Sequence, residues 1–367
     1  MSRLDSNRRE IDGTFAPNRL KKDMRTVRYT SSSDGTSLAW SKSGNGLPMV
    51  KAANWLTHLS YDLDSPIWSH WIELLESQFT LVRYDERGCG LSDKRVENLG
   101  IDYWVDDLEA VIDAAEIDEP IYLLGISQGA ATSIAYSLRH PGRVAGMILV
   151  GGYARGSNHR GSVAAKNYKT VIDVFRLGWE NDNPAFQDVF TSRFLPGAPP
   201  EQRSWFTELC QKTVLPETGA DLLMARADVN VESLLPKVSI PTLVIHSRND
   251  QVIPFEEGQH LAQKIPRATM SALEGKNHII QRDEPAWRAF SKSLLEFTSS
   301  GQTTDFNDLT KREQDVLRLI CQAMSGKEIA RSLQMSEKTV RNHTSKIYAK
   351  LELQNRQHAI RTYGHLF

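Results

Sequence analysis

The chain has 367 residues, 40% of them hydrophobic and 24% charged, with a formal net charge of -1. This is ordinary globular composition, long enough for about two domains, and it excludes wholesale disorder. No apolar run approaches the ~20 residues of a membrane helix, the polar N-terminus has no signal-peptide core, and three scattered cysteines exclude a disulfide framework or a sequence-evident zinc site. A cytoplasmic protein with no metal, no cofactor and no membrane partner is expected.

Residues 1–26 are polar and charged and read as a mobile arm. Val27–Thr30 and Ser37–Ser41, separated by Asp34-Gly35, read as a hairpin. Four apolar runs follow at Met49–Ala53, Thr80–Tyr84, Ile121–Ile126 and Met147–Val150, with helical patterns at Ser65–Ser77, Tyr103–Ala115 and Gln128–Leu138 between them. Thr242–His246 and Thr269–Leu273 are two further strands, flanked by helical Glu256–Lys264 and Pro285–Phe297. Such alternation predicts an α/β fold, a mostly parallel sheet covered by helices on both faces. Residues 153–236 interrupt the rhythm with helically spaced aromatics, Tyr153 through Phe206, and predict a helical lid. Those aromatics fasten the insertion to the sheet, and several of them are expected to line an apolar cavity beneath it. Residues 299–308 are Ser/Gly/Thr-rich and read as a linker, after which residues 309–367 form an all-helical block.

Charge is distributed unevenly. Residues 309–367 hold 11 Lys and Arg against 5 Asp and Glu, a net of +6, leaving 33 against 40 and a net of -7 for the remainder. A basic end fits a polyanionic partner.

Gly125-Ile126-Ser127-Gln128-Gly129 follows directly on a strand and leads into a helix. A serine on so tight a turn needs small neighbours, projects its hydroxyl at the head of the helix, and leaves the Gln128 amide free to donate to an oxyanion. Its hydroxyl needs a base, and the base needs an orienting acid. Asp250 lies just past Thr242–His246 and His278 just past Thr269–Leu273, in the order Ser, Asp, His and at the strand ends where open sheets bind ligands. Ser127 is thus the expected nucleophile, His278 the general base and Asp250 the orienting acid. His58 and His246 read as structural.

On these residues the region of about 27–298 resembles the α/β-hydrolase superfamily. Asp85-Glu-Arg-Gly-Cys-Gly-Leu-Ser92 also resembles that family's D-x-R-G-x-G-x-S segment, whose role is to shape a loop near the nucleophile. Where the family has His-Gly after its third strand, this chain has Ala53-Asn54. The resemblance therefore makes the Trp55 backbone amide the second oxyanion donor, with Asn54 suited to left-handed backbone geometry. A serine nucleophile and the lack of an HGGG segment leave esters, lactones, thioesters and carbon–carbon bonds as substrates.

In the basic block, Thr310-Lys-Arg-Glu313 and Ser325-Gly-Lys-Glu328 are capping boxes opening helices over Lys311–Ala323 and Gly326–Leu333. Ser336 caps a third helix, Glu337–Leu351, and Asn355 a short fourth. On the third helix Val340, Thr344, Ile347 and Leu351 share one face, and Lys338, Arg341, Asn342, Ser345 and Lys346 the other. That polar face, with Thr339 and Lys327, suits double-stranded DNA: Arg and Asn for base edges, Lys, Ser and Thr for phosphates. Leu309-Thr-x-Arg-Glu313, Lys327-Glu-Ile-Ala330, Ser336-x-x-Thr-Val340 and Lys350-Leu351 resemble the LuxR-type helix-turn-helix, which implies a homodimer on two half-sites. The expected protein is a transcriptional regulator whose hydrolase domain binds, and hydrolyses by a Ser-Asp-His mechanism, a small acyl compound. The alternative is a serine hydrolase acting on carboxylic esters with an accessory DNA-binding domain.

Overall fold

The computed structural model of the chain describes residues 26–300, 309–351, 353 and 355–364. The expected arm and most of the expected linker lie outside the described residues. Eight strands form one sheet in the order β1-β2-β4-β3-β5-β6-β7-β8. The hairpin β1 (Arg28–Ser31) and β2 (Ser37–Gly44) is antiparallel and joins the sheet through an antiparallel β2–β4 pairing. From β4 (Phe79–Tyr84) through β3 (Leu47–Ala52), β5 (Ile121–Ile126), β6 (Val144–Val150), β7 (Thr242–Ser247) and β8 (Ala268–Leu273) every pairing is parallel. Both β5 and β7 are buried along their whole length, which is why they read as unbroken apolar runs. The edge strands β1 and β8 are largely unburied.

Helices α1 (Ser69–Gln78), α2 (Ile101–Ala114) and α3 (Gly129–Arg139) connect the first parallel strands. Four helices, α4 (Ser162–Glu180), α5 (Pro184–Thr191), α6 (Pro200–Thr213) and α7 (Pro216–Ala227), lie between β6 and β7 as the inserted lid. Then follow α8 (Phe255–Lys264) and α9 (Pro285–Ser300). Trp71 of α1 meets Trp287 and Phe290 of α9 with ring centroids 5.4 and 4.4 Å apart, fastening those two helices to one another, whereas α2 packs on α3. Helix α9 runs two residues into the stretch expected to be linker. Thr298 Oγ1 donates to the Leu294 carbonyl at 3.0 Å, so polar side chains bond within the helix instead of ending it.

The C-terminal domain is α10 (Lys311–Cys321), α11 (Gly326–Ser332), α12 (Glu337–Lys350) and α13 (Arg356–Tyr363), around a separate core that includes Val316, Ile320, Ile329, Val340, Ile347 and Tyr363. Both capping boxes form, with reciprocal bonds between Thr310 and Glu313 and between Ser325 and Glu328. Ser336 and Asn355 accept from the Thr339 and His358 amides at 3.0 and 2.9 Å. Among the described residues no helix is long and apolar enough to cross a membrane.

Candidate functional site

Ser127 sits between β5 and α3 with a left-handed φ of 53°, the one strained position of the turn. Its glycine neighbours are required by contact. A Cβ on Gly125 would come 2.7 Å from the Gly129 carbonyl, and one on Gly129 would come 3.2 Å from the carbonyls of Ala52 and Ala53. The Ser127 amide donates to Val150 O at 2.9 Å, pinning the turn to β6.

The loops after β7 and β8 bring the other two residues to the same sheet edge. His278 Nδ1 and Asp250 Oδ2 are 2.7 Å apart, and both side chains are almost fully buried. Asp250 Oδ1 accepts from the Val252 and Ile253 amides at 2.8 and 3.0 Å, so the carboxylate is held at both oxygens. Burial pushes this carboxyl up, but His278, by charge and hydrogen bond, outweighs it and Asp250 is held below its ordinary range. A Cβ on Gly151 would meet His278 Cε1 at 3.0 Å and Asp250 Oδ2 at 3.4 Å, so Gly151 lets the pair approach the turn that carries Ser127. Among the described residues no hydrogen bond joins Ser127 Oγ to His278; such bonds commonly tighten only when substrate is present. His246 is buried, with Nε2 3.0 Å from the Ile253 carbonyl, and burial pulls its imidazole down, so it braces the Asp250 loop in neutral form.

Trp55 and Ser127 line one cavity, and among the described residues neither the Trp55 nor the Gln128 amide donates to another backbone oxygen. The left-handed residue of this loop is Leu56, at φ 64°, which corrects the expectation for Asn54. Instead the Asn54 side chain braces the loop, accepting from the buried Lys51 ammonium and donating to Trp55 O at 3.1 Å. The Asp85 segment supports the same loop from behind. Asp85 accepts from the Leu59 and Leu91 amides at 2.9 and 2.8 Å, and Arg87 is fully buried on Asp107 at 2.7 Å.

The lid touches this machinery directly. Phe194, between α5 and α6, accepts from the His278 amide at 2.9 Å and sets its ring 5.8 Å from the imidazole. Beneath the lid, the cavity at Ser127 measures about 40 Å³ and is lined by Tyr153, Tyr168 and Phe194 among others. A neighbouring cavity of about 520 Å³ shares Ser157, Arg160, Tyr168 and Val252 with it. Other lid aromatics pack on each other, Phe175 lying 4.4 Å from Trp179 and 5.2 Å from Phe190, while Trp205 stacks on Tyr61 at 4.6 Å. Arg160 and Arg226 face the cavity, and neither stood out in the sequence. Arg226 is salt-bridged to Glu86, 140 positions away, a separation that leaves no local signal.

On α12 the side chains of Lys338, Thr339, Arg341, Asn342, Ser345 and Lys346 are exposed while Val340 and Ile347 are buried, as the helical spacing predicts; Lys327 on α11 is exposed as well. Glu313 ties α10 to α12 through Lys350 at 2.8 Å, and this hydrogen bond, with those from Thr310, holds its carboxyl down at about 2.

Comparison with known proteins follows the same division. Residues 71–285 match the family model described as serine aminopeptidase, S33, and residues 307–363 match that of bacterial regulatory proteins, luxR family. The AB hydrolase superfamily protein YisY of Bacillus subtilis (strain 168) is 28% identical over 238 residues, 64% of this chain and 86% of that protein. The 3-oxoadipate enol-lactonase 2 of Acinetobacter baylyi is 26% identical over 232 residues, 62% of this chain and 82% of the relative. Among solved structures, an esterase from Exiguobacterium antarcticum superposes with a TM-score of 0.63 at 23% identity, covering 74% of this chain and 99% of its own.

Proposed function

Because this chain belongs to the serine aminopeptidase S33 family of α/β-hydrolases and ends in a luxR-family domain, we propose that it is a transcriptional regulator whose hydrolase domain binds and hydrolyses a small acyl compound. The observation that carries the reading is the buried His278–Asp250 pair, 2.7 Å apart, at the sheet edge where Ser127 projects from its strained turn. Ester, lactone or thioester substrates fit this arrangement, and the similarity to a protein named as an enol-lactonase supports an acyl–oxygen bond.

With His278 Nδ1 held by Asp250, its Nε2 is left to take the Ser127 proton as Oγ attacks the acyl carbon. The Gln128 and Trp55 amides stabilise the oxyanion, and His278 then returns the proton to the departing alkoxide or thiolate. Water, deprotonated by the same imidazole, releases the acid and restores Ser127.

Exposed cationic and amide side chains on α12 supply the DNA half of the reading, Arg341 and Asn342 to base edges and Lys327, Lys338, Thr339, Ser345 and Lys346 to the backbone. A homodimer on two half-sites completes it. Occupancy beneath the lid regulates DNA only if the ligand binds two global states differently.

The test is a serine-directed fluorophosphonate, with the labelled peptide read by mass spectrometry. Labelling at Ser127 that is lost in Ser127→Ala and His278→Ala supports catalysis, and absence of labelling in the wild type overturns it. For the regulatory half, DNA titrations of Ser127→Ala with and without a short ester are expected to differ in affinity or stoichiometry. Identical curves would mean that the two domains are merely tethered.

A further inference from the structure

Arg226 lies on α7 with its side chain almost fully buried against the Ser127 cavity. Its guanidinium stacks over the Trp55 ring at 4.7 Å and faces Trp104 at 5.5 Å, which fixes its plane beside the expected oxyanion loop. Among the described residues only Nη2 is hydrogen-bonded, donating to Glu86 at 2.6 Å; Nε and Nη1 are buried with no hydrogen-bond partner there. Buried charged donors without acceptors are costly, and guanidinium is the side chain whose geometry best matches a carboxylate.

Arg226 has company. Arg160 lines both cavities, lies over the Tyr153 ring at 5.9 Å, and has a buried Nε with no partner. Arg193 lines the larger cavity, where its one hydrogen bond is to the Gln251 carbonyl at 3.4 Å. Tyr168 lines both cavities with Arg160; burial pushes its phenol up, and the charges of Arg226, Arg193 and Arg160 each pull it down. Among the described residues the carboxylates nearest this group already have partners: Glu86 holds Arg226 Nη2 and Asp250 holds His278.

Resting on the proposed acyl hydrolysis, we infer that the substrate of Ser127 carries a carboxylate, received by the free donors of Arg226 with Arg160 and Arg193 at the entrance. A neutral chain would leave these donors buried and unmade, whereas an anion satisfies them and cancels the excess positive charge. The arginines also steer the anion inward from the larger cavity.

The test compares matched esters on the full-length protein. The 4-nitrophenyl half-ester of glutaric acid bears the carboxylate on the acyl side and 4-butyryloxybenzoate bears it on the leaving side; 4-nitrophenyl butyrate and phenyl butyrate are their neutral counterparts. The expected result is a kcat/KM at least about tenfold higher for one anionic ester than for its neutral match. That ratio is expected to fall to near unity in Arg226→Met combined with Glu86→Gln, a pair chosen to avoid leaving Glu86 buried alone. Arg160→Gln, on the half-exposed rim, keeps the test decisive if the double variant does not fold, and is expected to lower the same ratio several-fold. No anionic preference in the wild type, or one that Arg160→Gln leaves intact, overturns the inference. Should none of the four esters be hydrolysed, the catalytic reading fails separately. Calorimetry with monomethyl glutarate then decides the inference: salt-sensitive binding weakened by Arg160→Gln supports it, and no binding overturns it.

Discussion

The two domains handle polar side chains in opposite ways. In the hydrolase domain the side chains of Asp250, His278 and Gln128 are buried and each is hydrogen-bonded, whereas every candidate DNA contact on α12 is exposed. Burial removes water from around such groups and fixes each in one orientation, which suits chemistry at a single bond. Exposure leaves long cationic side chains free to follow a phosphate backbone, which suits a polymer read at many points. The same contrast governs what mutation does: a buried member of a unit fails as a unit, and an exposed contact fails by its own share.

The sharpest test of that difference is Ser127→Ala, expected to lower ester hydrolysis ~10³-fold or more while leaving DNA affinity unchanged in the absence of ligand. A fall of only a few-fold in kcat would show that Ser127, Asp250 and His278 do not act as the proposed unit. Arg341→Ala is expected to cost ~1–3 kcal/mol of specific DNA binding and to relax preference at one base position, read by titration against single-site operator variants. Thr310→Ala removes one side of a capping box and is expected to cost ~1 kcal/mol in the unfolding of the C-terminal domain. Lys346→Ala is expected to weaken all sequences alike and to lower the slope of log K against log salt by ~0.9.

Acidity separates the domains again. Glu313 is held at about 2 by Lys350 and Thr310, below the ~4.3 of an unfolded glutamate, so its contribution is fully present above that value. It is lost as pH falls from there through about 2. The unfolding midpoint of the C-terminal domain should therefore drop over that interval, and Glu313→Gln should flatten the drop. A variant that follows the wild-type curve would remove Glu313 from the account.

Much of this was legible in the sequence where local rules act alone. The caps at Thr310, Ser325, Ser336 and Asn355 depend on residues three apart, and all four form. Ser127, Asp250 and His278 were legible from their order and from the strands they follow, because a parallel sheet brings successive strand ends to one edge. Arg226 was not, since its meaning depends on α7 folding back over Trp55 and on Glu86 from a distant loop. The helical end of α9 was hidden for a different reason: Ser and Thr read as linker, but here they bond to carbonyls one turn back. Leu56 shows a third kind of gap. Asn54 was the residue suited to left-handed geometry, yet it is engaged by Lys51, and the unusual backbone falls on a leucine locked by full burial.

The cavity at Ser127, about 40 Å³, has room for a few water molecules and is well below the ~300–1,000 Å³ of ordinary ligand pockets. The ligand proposed above would therefore enter at the pace at which the lid helices make space, not at the pace of encounter. Such gating sets a ceiling: the observed association rate rises with ligand concentration and then levels at the opening rate. On the proposed regulatory reading such a site filters time as well as chemistry, passing over pulses of ligand shorter than one opening and answering only to a sustained supply.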